Sequence, residues 1–292
     1  FAQVMGRKRV VLAPPRAAAV LHPYPATHPS RRQAQVPAAT DWEDAALRSI
    51  AGGGGDVDGG RGSERVVEAS LSAGDVLYVP PFWWHRVEAV GDEPVASLSV
   101  VTPSEEEFAF AAAYWQRVPF GRLRSREERV AGARLLLTAV MRKTLRRDDD
   151  DDDDDSGDDD DGHHTAPKSP AAVVAELLAT RYVPLYGNAL GLGAGDGDAI
   201  AASMACSLPA DFDCGARDDA ERGAASVSRD VMGRVGQLLD EAAEGVAAAL
   251  RSGAITHTAG VQTLLLHDYV EEIARWAVGA CNVGLFLQRC FR

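Results

Sequence analysis

The chain has 292 residues, of which 46% are hydrophobic, a proportion typical of a globular protein. Its formal net charge of −13 is largely local, because two runs of aspartates, at 148–155 and 158–161, carry most of it. The rest of the chain is close to neutral, so no basic surface for a nucleic acid is indicated. No apolar run reaches the roughly 18–20 residues that a membrane-spanning helix needs.

The first hundred residues have the pattern of short β-strands separated by turns. Residues 1–13 predict two strands around a turn at Gly6-Arg7, and Pro14-Pro15 ends the second strand because proline cannot donate to a ladder. Further strands are predicted at 66–71, 76–79, 84–90 and 95–101. Evenly spaced short strands favour a sandwich or a jelly-roll barrel.

From Ser104 onward the pattern becomes helical. Ser104 with Glu107, and Ser125 with Glu128, predict capping boxes that open helices at 105–117 and 126–145. A third helix is predicted at 171–181, ending at an aromatic and proline-containing stretch. Two amphipathic helices, at 227–250 and 261–290, close the chain, and their apolar faces are predicted to pack within this chain or to form a homodimer.

These patterns divide the chain into four segments. The β-rich part covers 1–103 and contains a glycine-rich insertion at 51–63, and residues 104–147 form helices that pack on it. Residues 148–169 are an acidic linker, predicted to be disordered because its charges repel each other. Residues 170–292 form an α-helical region. The predicted fold class is therefore a mainly β jelly-roll part followed by an α-helical C-terminal region.

Four cysteines, at 206, 214, 281 and 290, have spacings that match neither a zinc ribbon nor a redox pair. We predict reduced thiols in an intracellular protein, cytoplasmic or nuclear. The chain begins at Phe1, inside a strand-like pattern and without an initiator methionine. We interpret it as a fragment whose N-terminal part is missing.

The residue best suited to chemistry is His85, in the stretch GDVLYVPPFWWHRVE at 74–88. Gly74, Pro80 and His85 follow the spacing G-x5-P-x4-H, in which a turn starts a strand, a proline ends its pairing and the returning strand presents a histidine. Imidazole suits Fe, Zn, Cu or Ni, so the spacing does not choose a metal. The alternative is a core histidine that donates to a backbone carbonyl.

Three motifs in order, FAQVMGRKRVVLAPP, LHPYPATHPSRRQAQV and GDVLYVPPFWWHRVEAV, resemble the JmjC/cupin-like family of Fe(II)- and 2-oxoglutarate-dependent oxygenases. Within that family they are most similar to the asparaginyl hydroxylase that modifies hypoxia-inducible factor. The resemblance covers about 1–101. It implies a double-stranded β-helix (the cupin/JmjC jelly roll) that hydroxylates a protein or peptide side chain with Fe(II) and the cosubstrate 2-oxoglutarate.

The resemblance also implies roles for four residues. The family holds iron with two histidines and one carboxylate, and His85 matches the second histidine, a catalytic metal ligand. The other two ligands come from an HxD pair, expected upstream of Phe1, and no HxD or HxE occurs in this chain. Lys8 matches the lysine that binds the distal carboxylate of 2-oxoglutarate. Arg32 and Gln33 match a loop that contacts the peptide substrate.

Each assignment has a simpler alternative. Lys8 is then a solvated strand residue, and Arg32 and Gln33 brace their own loop. The tryptophans Trp83 and Trp84 are predicted to pack, with a secondary role in shielding a metal. The family's S-V-N-F-W-like run is replaced by SVVTP at 99–103, so the same substrate is not implied.

Two other functions compete with a protein hydroxylase. One is a non-catalytic cupin-like interaction module that has lost its metal site. The other is an oxygenase of the same fold acting on RNA, which the lack of a basic patch disfavours.

Overall fold

The structure is a computed structural model of the chain, and it describes residues 1–36, 65–114, 118, 120–145, 169–190, 222–256 and 260–291. The glycine-rich insertion predicted at 51–63, and residues 148–168 of the predicted acidic linker, lie outside the described residues.

Five strands lie in the first hundred residues, and helices follow them. The strands are β1 (Ala2–Met5), β2 (Arg7–Ala13), β3 (Val67–Leu71), β4 (Trp84–Val90) and β5 (Ala96–Leu98). The helices are α1 (Ala18–Leu21), α2 (Glu105–Tyr114), α3 (Arg126–Thr144), α4 (Pro170–Leu177), α5 (Val183–Leu190), α6 (Arg222–Leu250), α7 (Gly253–Thr256), α8 (Val261–Val278) and α9 (Val283–Cys290). Short 3-10 turns lie at Pro15–Ala17, Phe120–Arg122 and Ala280–Asn282.

The strands form two antiparallel sheets, one ordered β1-β5 and the other β3-β2-β4. The predicted strands at 66–71 and 84–90 are confirmed. The predicted strand at 76–79 is wrong in extent, because only a bridge between Ala2 and Val76 and a hydrogen bond from the Leu77 N–H to the Phe1 carbonyl (2.8 Å) join it to β1. Pro80 and Pro81 follow at once and cannot extend a ladder.

Gly6 makes the turn between β1 and β2 and is required there. Its φ is +71°, and a Cβ would lie 2.6 Å from the Pro94 carbonyl oxygen. A side chain at this position would therefore meet both backbone strain and a clash.

The three-stranded sheet is covered on both faces. On one face, Val10, Leu12 and Leu71 pack with side chains that include Phe1, Leu77, Val79 and Trp83. On the other, Val11 and Ala13 pack with Ala17 and Leu21, which belong to the first 3-10 turn and α1. Alternation along β2 thus sends successive side chains to two apolar clusters. The described strands do not close into a barrel, so the jelly-roll barrel is not confirmed.

The ribbon formed by β1, β5 and residues 76–78 has an outer face that is open to solvent. Val4 and Leu98 are 62% and 63% exposed, Val76 and Tyr78 are each about three-quarters exposed, and so is Val100, which follows β5 by two residues. We call these five residues the outer apolar face. Alternation explains the pattern, because the intervening Gln3 is buried and Leu77 faces the apolar cluster.

The chain folds into two compact units. The first comprises Phe1–Ala112 and Ser252–Asp268, and the second comprises Ala113–Arg251 and Tyr269–Arg292. In the second unit α3 packs against α6 through an apolar stripe on α6, namely Val231, Val235, Leu239, Ala242, Val246 and Leu250. The apolar face predicted for 227–250 is thus used within the chain, although Leu238 is 36% exposed.

Sequence predictions for the other helices are only partly confirmed. A π-helical turn at Leu178–Tyr182 follows α4, and the chain remains helical in α5 instead of ending at the aromatic stretch. Pro184 lies within this continuous helical run, two residues after the end of the π-helical turn, and has no N–H to donate to it. Trp276 and Ala280, two apolar residues of the helix predicted at 261–290, are both exposed.

The prediction of reduced thiols is wrong for Cys281 and Cys290, which are disulfide-bonded. The other two cysteines lie outside the described residues. Among the described helices, none combines the length and the apolar character that crossing a bilayer requires.

Candidate functional site on the three-stranded sheet

His85 lies near the start of β4, opposite Leu12 of β2. Its Nδ1 is 3.3 Å from the Trp83 carbonyl oxygen. Because a carbonyl only accepts, Nδ1 is the donor in this contact, and a neutral ring bonded in this way would keep its lone pair on Nε2 for a metal. The ring is exposed, so the alternative of a core histidine is not what the structure shows.

The turn before β4 fixes how His85 is presented. Phe82 has a φ of +60°, a left-handed conformation that is uncommon for a bulky residue. The next two side chains then point to opposite faces, Trp83 into the cluster of Val10 and Trp84 into the cluster of Val11. Both tryptophans pack, as predicted, and they hold the strand from both faces where His85 begins to project.

Lys8 lies on β2 with Leu71 and Ala89 as its cross-strand neighbours. It is half-buried, and its ammonium donates a hydrogen bond of 2.6 Å to the Ser97 hydroxyl. It also lies 4.9 Å from the centre of the Phe1 ring, within the range of a cation–π contact. No carboxylate of the described residues pairs with it.

The strand register places Lys8 and His85 on the same face of the sheet. Leu12, the partner of His85, follows Lys8 by four positions, and side chains two or four positions apart share a face. Four residues of strand correspond to about 13 Å, a gap that two long side chains and a five-carbon dicarboxylate can bridge.

Arg32 and Gln33 are exposed on the loop between α1 and the end of the first described segment. Arg32 has a φ of +70°, and its guanidinium lies 3.6 Å from the Glu107 carboxylate at the start of α2. The Gln33 carbonyl accepts a hydrogen bond of 3.0 Å from the Tyr24 N–H. The contacts of these two residues are thus with their own loop and with α2, and not with Lys8 or His85.

The described residues do not complete a metal site. They contain no group of three or more His, Cys, Asp or Glu side chains placed to hold an ion. His85 can supply one imidazole, whereas an iron site of the oxygenase type needs a second histidine and a carboxylate. The residues that are present therefore do not by themselves fit iron.

Two contacts of the site were missed by the sequence reasoning. The first is the bond from Lys8 to Ser97, which lies 89 positions later in the chain. The pairing of β1 with β5 brings Ser97 close to Lys8. Glu107 was interpreted only as a capping residue. Its backbone N–H does fill that role, donating to the Ser104 hydroxyl at 3.0 Å, but its carboxylate also faces Arg32.

The chain was compared with solved structures and with models of protein families. No solved structure matches the chain. Residues 1–121, which contain the described strands, match the family described as Cupin-like domain.

Proposed function

We propose that this chain belongs to a JmjC-type Fe(II)- and 2-oxoglutarate-dependent dioxygenase that hydroxylates a protein or peptide side chain. The observation that carries the proposal is the shared face of Lys8 and His85. A half-buried ammonium, which no carboxylate of the described residues pairs, lies on the same side of the sheet as an exposed imidazole whose Nδ1 contacts the Trp83 carbonyl. The match of residues 1–121 to the cupin-like domain supports it.

Lys8 binds the distal carboxylate of 2-oxoglutarate in this proposal. A half-buried ammonium loses hydration, and an anion restores part of that loss more effectively than a neutral hydroxyl does. The Ser97 hydroxyl and the Phe1 ring, its present neighbours, carry no negative charge. We expect Lys8→Met to raise the KM for 2-oxoglutarate by at least tenfold.

His85 supplies one protein ligand to iron, and Arg32 and Gln33 contact the substrate. The open positions of a two-histidine, one-carboxylate site would bind 2-oxoglutarate and oxygen. The chain contains no HxD or HxE, so the proposal assigns only this one ligand. Substrate contact by Arg32 and Gln33 agrees with their exposure at a loop tip.

The proposal is tested by turnover of 2-oxoglutarate in the full-length gene product with added Fe(II). We expect His85→Ala to abolish iron-dependent succinate formation, which NMR measures directly. His164→Ala, a histidine of the acidic tract, serves as the matched control and should retain activity. Wild-type turnover in His85→Ala would show that the metal assignment is wrong.

A second candidate is a non-catalytic cupin-like interaction module. The absence of a three-donor cluster from the described residues, and of HxD from the sequence, favours it. Calorimetric titration of the full-length gene product with Mn(II), an oxygen-stable substitute for Fe(II), separates the two. Stoichiometric binding that His85→Ala removes supports the enzyme, and no binding supports the interaction module.

We also propose a homodimer through the C-terminal helices, as the chain's two long helices suggested. The apolar stripe of α6 already packs on α3, so other surfaces of these helices would form the contact. Light scattering over a wide concentration range tests this. A monomer mass throughout would contradict it.

A further inference from the structure

We infer that His28 positions the substrate-contacting loop, residues 22–35, through its neutral ring, and that peptide binding weakens when this ring is protonated. This inference rests on the proposed function, because it takes Arg32 and Gln33 of that loop as substrate contacts. His28 itself is a positioning residue: it acts through the loop and not on the reacting atoms.

His28 is connected to its loop through its backbone and its ring. Its N–H donates to the Pro25 carbonyl at 2.9 Å, and its carbonyl accepts the Arg31 N–H at 3.0 Å. Its ring Nδ1 accepts the Ser30 N–H, also at 3.0 Å. These three bonds bind the histidine to residues on both sides and fix the turn that precedes Arg32.

The ring also connects His28 to Gln33. It stacks on Tyr24 with a centroid separation of 4.5 Å and an interplanar angle of 20°. The Tyr24 N–H donates to the Gln33 carbonyl, and the Gln33 N–H donates to the Ser30 carbonyl, each at 3.0 Å. Ser30, whose N–H the His28 ring accepts, is therefore bonded to Gln33 as well. The ring, Tyr24 and Ser30 form one closed set of contacts around the loop tip.

This arrangement requires a neutral ring. Nδ1 accepts a hydrogen bond, so in the folded loop the proton must be on Nε2. A second proton would turn Nδ1 into a donor that faces the Ser30 N–H, and two donors cannot bond. Protonation thus breaks the Ser30 contact and loosens the loop.

The surroundings of the ring favour the neutral form. Burial lowers the pKa of His28 below 6.5. The titratable group stacked against the ring is the Tyr24 phenol, and the guanidiniums of Arg31 and Arg32 on the same loop are exposed. Glu107 faces Arg32 from α2, so its carboxylate is engaged by a cation. The loop is therefore expected to hold its conformation near neutral pH and to lose it in mildly acidic solution.

The loop contact can be tested without any substrate. Two-bond proton–nitrogen NMR spectra of the full-length gene product report the tautomer of each histidine and its titration with pH. The His28 signal is identified by its absence from the spectrum of a His28→Asn variant. We expect the Nε2–H tautomer, a pKa below 6.5, and a Ser30 amide that shifts with the same midpoint. An Nδ1–H tautomer, or a Ser30 amide that does not follow the titration, would overturn the inference.

The effect on binding is tested by hydroxylation of a synthetic peptide library. In wild-type protein, we expect hydroxylation at limiting peptide to fall as the pH drops through the His28 pKa, because the neutral ring is lost. His28→Asn should flatten this profile, because the Asn carbonyl oxygen can accept the Ser30 N–H and does not titrate. His28→Leu should raise the peptide KM at every pH while the 2-oxoglutarate KM stays constant.

The outcomes separate the two proposals. An unchanged pH profile in His28→Asn would overturn the role of His28 even if the enzyme is active. If no peptide is hydroxylated at any pH, the proposed function fails, and the NMR titration alone then decides whether His28 holds the loop.

Discussion

Glu271 is a fully buried carboxylate among the helices of the second unit. One oxygen lies 2.5 Å from an Arg181 guanidinium nitrogen, and the other accepts the Tyr182 hydroxyl at 2.7 Å. Arg181 and Tyr182 end the π-helical turn, so this group ties α8 to the point where α4 passes into α5. A buried ion pair adds little net stability, but removing one partner leaves the other charge uncompensated.

We expect Glu271→Gln to lower the free energy of unfolding by about 3 kcal/mol, because the charge of Arg181 would remain buried without its counter-ion. Urea denaturation followed by circular dichroism measures this. The neighbouring Glu272 provides the control, since it pairs with Arg275 at the surface, and Glu272→Gln should change stability by less than about 1 kcal/mol. Equal effects of the two substitutions would contradict the importance of burial.

At the scale of the element, α3 begins with a complete capping box. The Ser125 hydroxyl accepts the Glu128 N–H at 3.1 Å, and the Glu128 carboxylate accepts the Ser125 N–H in return. We expect Ser125→Ala to destabilise the protein by about 1 kcal/mol, because a helix-terminal donor loses its acceptor. Thermal unfolding compares it with Ser228→Ala, inside α6, which should be neutral or slightly stabilising. A neutral Ser125→Ala would contradict the capping role.

Ion pairs join α3 to α6. The Lys143 ammonium lies 3.0 Å from Glu244 and 3.3 Å from Asp240, and Arg251 lies 3.1 Å from Glu244. The hydrogen bond from Lys143, followed by that from Arg251, lowers the pKa of Glu244 below 4.5. The bond to Glu244 raises the pKa of Lys143 above 10.5.

These shifts define the pH range in which the ion pairs stabilise the fold. The contribution of Glu244 is complete above pH 4.5 and is lost as the pH falls through its lowered pKa, whereas that of Lys143 is lost only as the pH rises above 10.5. We expect the difference in Tm between wild type and Glu244→Gln to be largest between these limits. It should shrink at high salt, since the Glu244 side chain is 52% exposed and its ion pairs are open to screening. If the difference in Tm depends on neither pH nor salt, Glu244 stabilises the fold through packing and not through its charge.

A structural feature could be predicted from the sequence when residues close together in the chain determine it. The predicted capping boxes involve residues three apart, and the one at Ser125 is complete, whereas at Ser104 the structure shows the bond from the Glu107 N–H to the Ser104 hydroxyl. The strand at 76–79 was predicted from its own residues, but a ladder needs a partner along its whole length. The continuation of helix past Pro184 depends on the preceding π-helical turn, which no local pattern indicated.

The candidate site shows the same limit. The motif around His85 predicted its strand and the packing of its tryptophans, because spacing and alternation are properties of the strand itself. The alignment of Lys8 with His85 on one face follows only from the register of β2 and β4. The contact of Lys8 with Ser97 needs two sheets, and so it could not be read from either strand alone.

For the whole molecule, the outer apolar face bears on how the chain behaves in solution. Its five residues, Val4, Val76, Tyr78, Leu98 and Val100, form a surface of the kind that associates with other apolar surfaces in water. A purified sample of this chain is expected to bind the dye ANS while still folded, and to lose soluble protein as it is concentrated.

Threonine substitutions at two of these positions should make the chain easier to handle. Leu98→Thr with Val100→Thr keeps residues suited to strands while removing apolar surface, so the circular dichroism spectrum should be unchanged and ANS fluorescence should fall. The matched pair Val10→Thr with Val11→Thr, both buried, should instead unfold the sheet. Samples for crystals or spectra would then be prepared from the variant with Leu98→Thr and Val100→Thr, because these two side chains belong to neither apolar cluster.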